Sequence, residues 1–283
     1  MTQRQDTLSP AGRLAGHLPG LLLEAEKVAH SFMKGIHGRR RVGTGEAFWQ
    51  FRPYQAGDAL RDIDWRQTAK REDAFVRQTE WEAAQTVWLY RDASESMNFN
   101  AKKDYAEVLL LALGMVLLAG GEQVSLLGAD LAPQTGYASI QRIYEMLAAQ
   151  TDLTEDGRNV AARSQAVLMS DFYFPLGPLT SFCEKLAARN VKGLLVQVFD
   201  PAEQTLPYTG RIRFQDAENI SAGSLLIPHV ESIREEYEQR YAAHQKSLAA
   251  LAAGLGWKFE KFSTEVKPET ALVQLYSNLS VKK

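Results

Sequence analysis

The residues best placed to do chemistry are Asp92-Ala93-Ser94-Glu95-Ser96-Met97, which put a carboxylate and two hydroxyls at i, i+2 and i+4. They follow Thr86-Val87-Trp88-Leu89-Tyr90-Arg91, an apolar run with the β-branched and aromatic content of a buried strand. A long apolar helix is predicted shortly afterwards. Hard oxygens on one loop suit a hard cation such as Mg²⁺, which keeps several waters and takes few protein ligands. In an open α/β sheet, the crevice beyond the strands' carboxyl ends is also where ligands bind. Helix capping is the plainer reading, and it accounts for one of the three residues.

Asp171 ends a second apolar run, Ala166–Ser170, so in a parallel sheet it falls on the same edge as Asp92. Its alternative role is a cap or turn ahead of Pro175. Thr135, in Pro133-Gln134-Thr135-Gly136, offers a hydroxyl from a third loop; Ser139 is the alternative, and either residue also suits an N-cap. The candidate metal ligands are therefore Asp92, Ser94, Ser96, Thr135 and Asp171, with Mg²⁺ the expected ion and Mn²⁺ the alternative.

Other clusters read more plainly. Arg52 to Arg66 interleaves arginines with Asp58, Asp62 and Asp64, a pattern that neutralises carboxylates as ion pairs. It predicts a salt-bridged hairpin. Arg39-Arg40-Arg41 with Gly43 and Gly45 follows a predicted helix and precedes a strand, the wrong context for a phosphate cradle. No Ser-His-Asp order, Cys-His pair, zinc spacing or Walker loop is present. His30, His37, His229 and His244 show no metal spacing and read as surface or packing residues.

The elements that must position these residues alternate regularly from about residue 83. Strands are predicted at 85–91, 122–128, 165–170, 191–199 and 257–262, and helices at 102–119, 138–149, 178–189, 228–253 and 268–278. A β excursion is expected near 211–214. Such alternation predicts a doubly wound, mostly parallel sheet. Upstream, residues 1–19 read as irregular, 21–34 as an amphipathic helix, and 48–52 and 74–79 as short strands of a small β-containing insertion. The expected division is 1–82 and 83–283.

At 283 residues, 45% hydrophobic and 23% charged, the chain can bury a real core. A formal net charge of −2 provides no global field for nucleic acid or anionic membrane. The single cysteine, Cys183, excludes an internal disulfide framework and fits a reducing compartment. The most apolar stretch, Val108–Ala119, has 12 residues against the ~20 that span a bilayer. A cytoplasmic protein is expected.

Asp92-x-Ser94-x-Ser96-Met97 resembles the metal-ion-dependent adhesion site of von Willebrand factor A domains. Gly45-Glu46-x-Phe48, then Arg52-x-Tyr54-x-x-Gly57-Asp58-x-x-Arg61-x-Ile63-Asp64-Trp65, resembles the signature of the bacterial family called domain of unknown function 58. Asp200-Pro201-Ala202-Glu203 also looks like that family, whereas Arg91 stands where an apolar residue is usual. The resemblance implies a von Willebrand A-like core with an N-terminal β-containing insertion and partnership with a MoxR-type AAA+ ATPase. The expected function is a non-enzymatic, metal-dependent protein-binding module that captures a partner's acidic side chain in protein remodelling or complex maturation. A metal-dependent phosphoester hydrolase is the alternative.

Overall fold

The computed structural model describes residues 10–37, 48–55, 58–59, 63–69, 74–79, 84–147, 157, 159–215, 217 and 223–280. They form two compact units, one of residues 36–84 and the other of residues 1–35 with 85–283.

The larger unit is an α/β layer structure. Its sheet has five parallel strands, β3 (Thr86–Arg91), β4 (Gln123–Leu126), β5 (Gln165–Ser170), β6 (Lys192–Phe199) and β9 (Lys258–Ser263), in the order β4-β3-β5-β6-β9. From β3 the chain winds outward to β4 and then returns on the other side of β3 as β5. The winding therefore reverses between β3 and β5, the point in such sheets beyond whose carboxyl ends ligands bind.

Both faces of the sheet are covered. On one, Trp88, Tyr90, Ala166, Leu168 and Leu195 pack with Leu179, Phe182, Cys183 and Leu186 of α5 (Leu176–Ala187) and Leu248 and Ala252 of α7 (Arg234–Gly254). On the other lies α3 (Lys102–Ala119), with α4 (Ile140–Leu147) and α8 (Pro268–Ser280) against it. That sandwich explains why α3 is apolar nearly all round instead of striped. In β6, Gly193 lies under Trp257, where a Cβ would fall 1.9 Å from the indole Cε3. Only glycine leaves room for that ring, whose Nε1–H donates to the Val191 carbonyl at 3.0 Å.

The first helix, α1, runs from Pro10 to His37, so part of the stretch expected to be irregular is helical. The helix continues through Pro19-Gly20. α1 also belongs with the sheet unit and not with the β-containing segment. Ala25, Val28, Ala29 and Phe32 are buried, and Phe32 meets Tyr276 of α8 edge-on with centroids 5.1 Å apart. The hydrophobic stripe was legible, but which partner it covers is a tertiary fact.

The β excursion is a hairpin of β7 (Ile212–Gln215) and β8 (Ser224–Ile227), next to a short α6 (Pro201–Thr205). The smaller unit pairs β1 (Phe48–Pro53) with β2 (Phe75–Thr79) antiparallel, and Ile63 bridges Val76 beside a one-turn α2 (Trp65–Thr68). Within it, the Arg52 guanidinium grips both oxygens of Asp58 at 2.6 Å each, one ion pair of the kind expected. That hydrogen-bonded guanidinium lowers the Asp58 pKa to about 2. The basic loop at 39–45, and Gly57, Arg61 and Asp62, lie outside the described residues. Among the described residues, no helix is long and apolar enough to cross a membrane.

Candidate functional site

The carboxyl edge of the sheet assembles the site. β3 and β5 pair in register from Val87–Gln165 to Arg91–Met169, so the chain leaves both strands at the same level. The Asp92 N–H donates to the Met169 carbonyl at 2.9 Å, which ties the two exits together. Asp92 is 2% exposed and Asp171 fully buried.

The Asp92 carboxylate organises its own loop. One oxygen accepts the Ser94 N–H at 2.9 Å and the other accepts the Ser170 hydroxyl. Ser170 Oγ in turn accepts the Phe172 N–H at 2.7 Å. This bond helps hold Phe172, a fully buried aromatic residue, at φ 59°, which a bulky side chain rarely adopts. Burial raises the Asp92 pKa, with a smaller push from Asp171, while the Ser170 and Ser94 bonds oppose it. Ser94 and Ser96 are half-buried, with their hydroxyls 3.1 Å apart.

Asp171 is held differently. One carboxylate oxygen accepts the Tyr173 N–H at 3.0 Å, and the other takes the Lys102 ammonium at 2.7 Å. The same ammonium reaches Glu203 Oε1 at 2.5 Å. Lys102 is completely buried, and its Nζ lies 5.2 Å from the Tyr173 ring centroid and 5.7 Å from that of Phe99. Glu203 is fixed from the other side by a capping box at the start of α6. Its Oε2 accepts the Asp200 N–H at 2.9 Å, and the Asp200 side chain accepts the Ala202 N–H at 2.9 Å. Burial raises the Glu203 pKa and Lys102 pulls it down.

The structure therefore brings Asp92, Ser94, Ser96 and Asp171 to one edge. Thr135 is not among them. After β4 the chain turns back, and Gln134 forms an antiparallel bridge with Val124, the second residue of that strand. Thr135 lies beyond that bridge toward the amino end of the sheet, exposed, its carbonyl accepting the Ser139 hydroxyl at 2.6 Å. Neither hydroxyl considered for a third loop reaches the edge.

Arg91 is buried as well. It pairs with Glu107 of α3 at 3.2 Å and donates to the carbonyls of Asp92 and Leu147.

Three participants were missed from sequence: Lys102, Ser170 and Glu203. One signal for Lys102 was available, since Lys102 and Lys103 open α3, where the helix dipole disfavours cations. A lysine in that position calls for an acidic partner elsewhere in the fold.

The donor set also tests the expected Mg²⁺ or Mn²⁺. Each oxygen of Asp92, Asp171 and Glu203 already accepts from a protein donor, and the cation between Asp171 and Glu203 is an ammonium. A divalent ion on the Asp171 carboxylate would have to share it with the Lys102 ammonium, 2.7 Å from Oδ2, and meet its like charge. Among the described residues, no group of three or more His, Cys, Asp or Glu side chains is arranged to hold a metal. As arranged, Asp171 does not fit the expected metal, because the oxygen it would offer is committed to Lys102.

The chain is similar to mycobacterial proteins. It is 27% identical over 266 residues to the uncharacterized proteins Rv1480 of Mycobacterium tuberculosis and Mb1516 of Mycobacterium bovis. Each alignment covers 86% of this chain and 83% of the relative. Among solved structures, the conserved hypothetical protein BatB from Bacteroides thetaiotaomicron aligns with a TM-score of 0.42 and 14% identity, over 70% of this chain and 99% of that one. The family profile described as "Protein of unknown function DUF58" matches residues 50–247, which is most of the chain and runs through the β1–β2 unit, the Asp92 loop, Asp171 and Glu203; the chain belongs to that family.

Proposed function

We propose that this chain is a non-enzymatic protein-binding module, an adaptor that works with a MoxR-type AAA+ ATPase in protein remodelling or complex maturation. In this reading a von Willebrand A-like core presents the loop after β3 to its partner. The observation that carries it is the organisation of the carboxyl edge. Charged groups are neutralised inside, at Lys102, Asp171 and Glu203, while Glu95, Asn98 and Phe99 stand exposed on the rim at the reversal of winding. A partly exposed aromatic residue over a rigid floor suits a protein contact.

Capture of an acidic side chain depended on an open metal position. With one ammonium against three carboxylates the edge does not attract a further carboxylate, so the contact is assigned to Phe99 and the neutral loop groups. Hydrolysis needs a group that moves protons. The carboxylates here are engaged on both oxygens, which favours binding over turnover.

The test is capture of the purified MoxR-type ATPase of the same organism by the wild type, Phe99→Glu and Arg240→Glu. Arg240 is exposed on α7 and serves as the control. Phe99→Glu should weaken capture at least about tenfold, as loss of an aromatic anchor does, and Arg240→Glu should leave it intact. If the ATPase is not captured, or Phe99→Glu matches the wild type, the adaptor reading falls. Turnover of a phosphoester panel that disappears in Asp92→Asn would replace it with the hydrolase.

A further inference from the structure

We infer that Lys102 is a built-in countercation that takes the place of a divalent ion, so that the carboxyl-edge loops assemble without metal, and that removing its ammonium alone turns the cluster into a divalent-cation site. This inference is independent of the partner proposed above.

The Lys102 ammonium is held between Asp171 Oδ2 at 2.7 Å and Glu203 Oε1 at 2.5 Å, from two different loops. Among the described residues, Lys102 is the cation paired with those two oxygens. The ammonium is fully buried and the Tyr173 and Phe99 rings flank it, so the charge is supplied from within the fold and not exchanged with solvent. In effect the lysine occupies the coordination point that links the loop after β5 to the loop after β6.

With two protein oxygens at the point, the rest of a cation's shell must come from water, and Ca²⁺ accepts oxygens in a flexible arrangement where Mg²⁺ demands near-ideal octahedral geometry. Truncation at Cβ opens the channel now filled by the lysine stem, and water entering it completes the coordination. The second carboxylate oxygens, on Tyr173 N–H and Asp200 N–H, stay fixed and hold both ligands in place.

The experiment measures melting temperature and calcium binding by calorimetry for the wild type, Lys102→Ala and Lys102→Ala/Asp171→Asn. Each is titrated with CaCl₂ and MgCl₂ to millimolar levels against an ionic-strength control, and with a chelator. The wild type should show no shift with either salt or chelator. Lys102→Ala should rise by about 5 °C in Ca²⁺, more than in Mg²⁺, consistent with linkage for an ion well above its dissociation constant. The double variant should lose that rise. Should Lys102→Ala fail to fold, Lys102→Gln, which is shorter and brings a carbonyl ligand, carries the same comparison. A wild type stabilised by either ion and weakened by the chelator overturns the inference, as does a folded Lys102 variant that binds no divalent ion.

Discussion

Replacing Lys102 with methionine keeps an unbranched apolar stem and removes the ammonium, leaving Asp171 and Glu203 facing each other without a cation. Breaking a buried ion pair by deleting one partner costs about 3–5 kcal/mol. Asp171 is wholly buried and Glu203 nearly so, so about 4 kcal/mol is expected at pH 7. The cost should depend on pH, and the sign follows from burial. Glu203 already has a raised pKa with Lys102 beside it, and without the lysine one carboxyl of the pair retains its proton more strongly still. In the pH range above the unfolded-state value near 4, the native variant then holds a proton that the unfolded chain releases. Raising the pH through that range destabilises the variant. Lowering the pH from 7 to 5 should therefore recover part of the loss relative to the wild type, with about 1.36 kcal/mol per pH unit per proton as the upper bound. The assay is urea denaturation of both proteins at pH 5 and pH 7, followed by far-UV circular dichroism. A loss below about 1 kcal/mol at pH 7, or one of equal size at both pH values, refutes the reasoning about a buried and internally compensated charge.

Gly193→Ala should destabilise the sheet unit by about 3 kcal/mol, because the new methyl overlaps the Trp257 ring and overpacking also strains its hydrogen bond to Val191. In a Trp257→Ala background the same change should be close to neutral, and a double-mutant cycle by urea denaturation reads the difference. Cys183 is buried, which pushes its thiol pKa up to about 12. It should resist alkylation by iodoacetamide at pH 8 until the protein is unfolded, as mass spectrometry will show. The Asp58 carboxyl should titrate at about 2 by carbon NMR, and Arg52→Met should return it to the ordinary range near 4. Because the folded value is depressed, the pair's contribution is present above pH 4 and fades as the pH falls through about 2.

The sheet was legible because its strands and helices have different periods. Val167-Leu168-Met169 and Leu194-Leu195-Val196 are apolar on both faces, and only a parallel strand covered on both sides accepts such a run. The same alternation placed Asp92 and Asp171 at strand ends, and parallel pairing puts strand ends on one edge. Asp200 to Glu203 was noted only as a likeness to the family, and its part in the cluster was not visible.

The sequence could not reveal where long-range electrostatics would be settled. Lys102 lies 69 residues from Asp171 and 101 from Glu203, and a lysine in a helix's first turn ordinarily points into water. Thr135 failed for a related reason: whether a loop continues forward or folds back beside its own strand depends on the bridge from Gln134 to Val124, which leaves no mark in residue type. Residue order alone thus determined the five strands of the sheet, the long helices between them and the shared edge of the Asp92 and Asp171 loops, because those follow from periodicity and chain direction. The identity of the cation between Asp171 and Glu203 was decided only by packing, since burial is what obliges those distant charges to find one another.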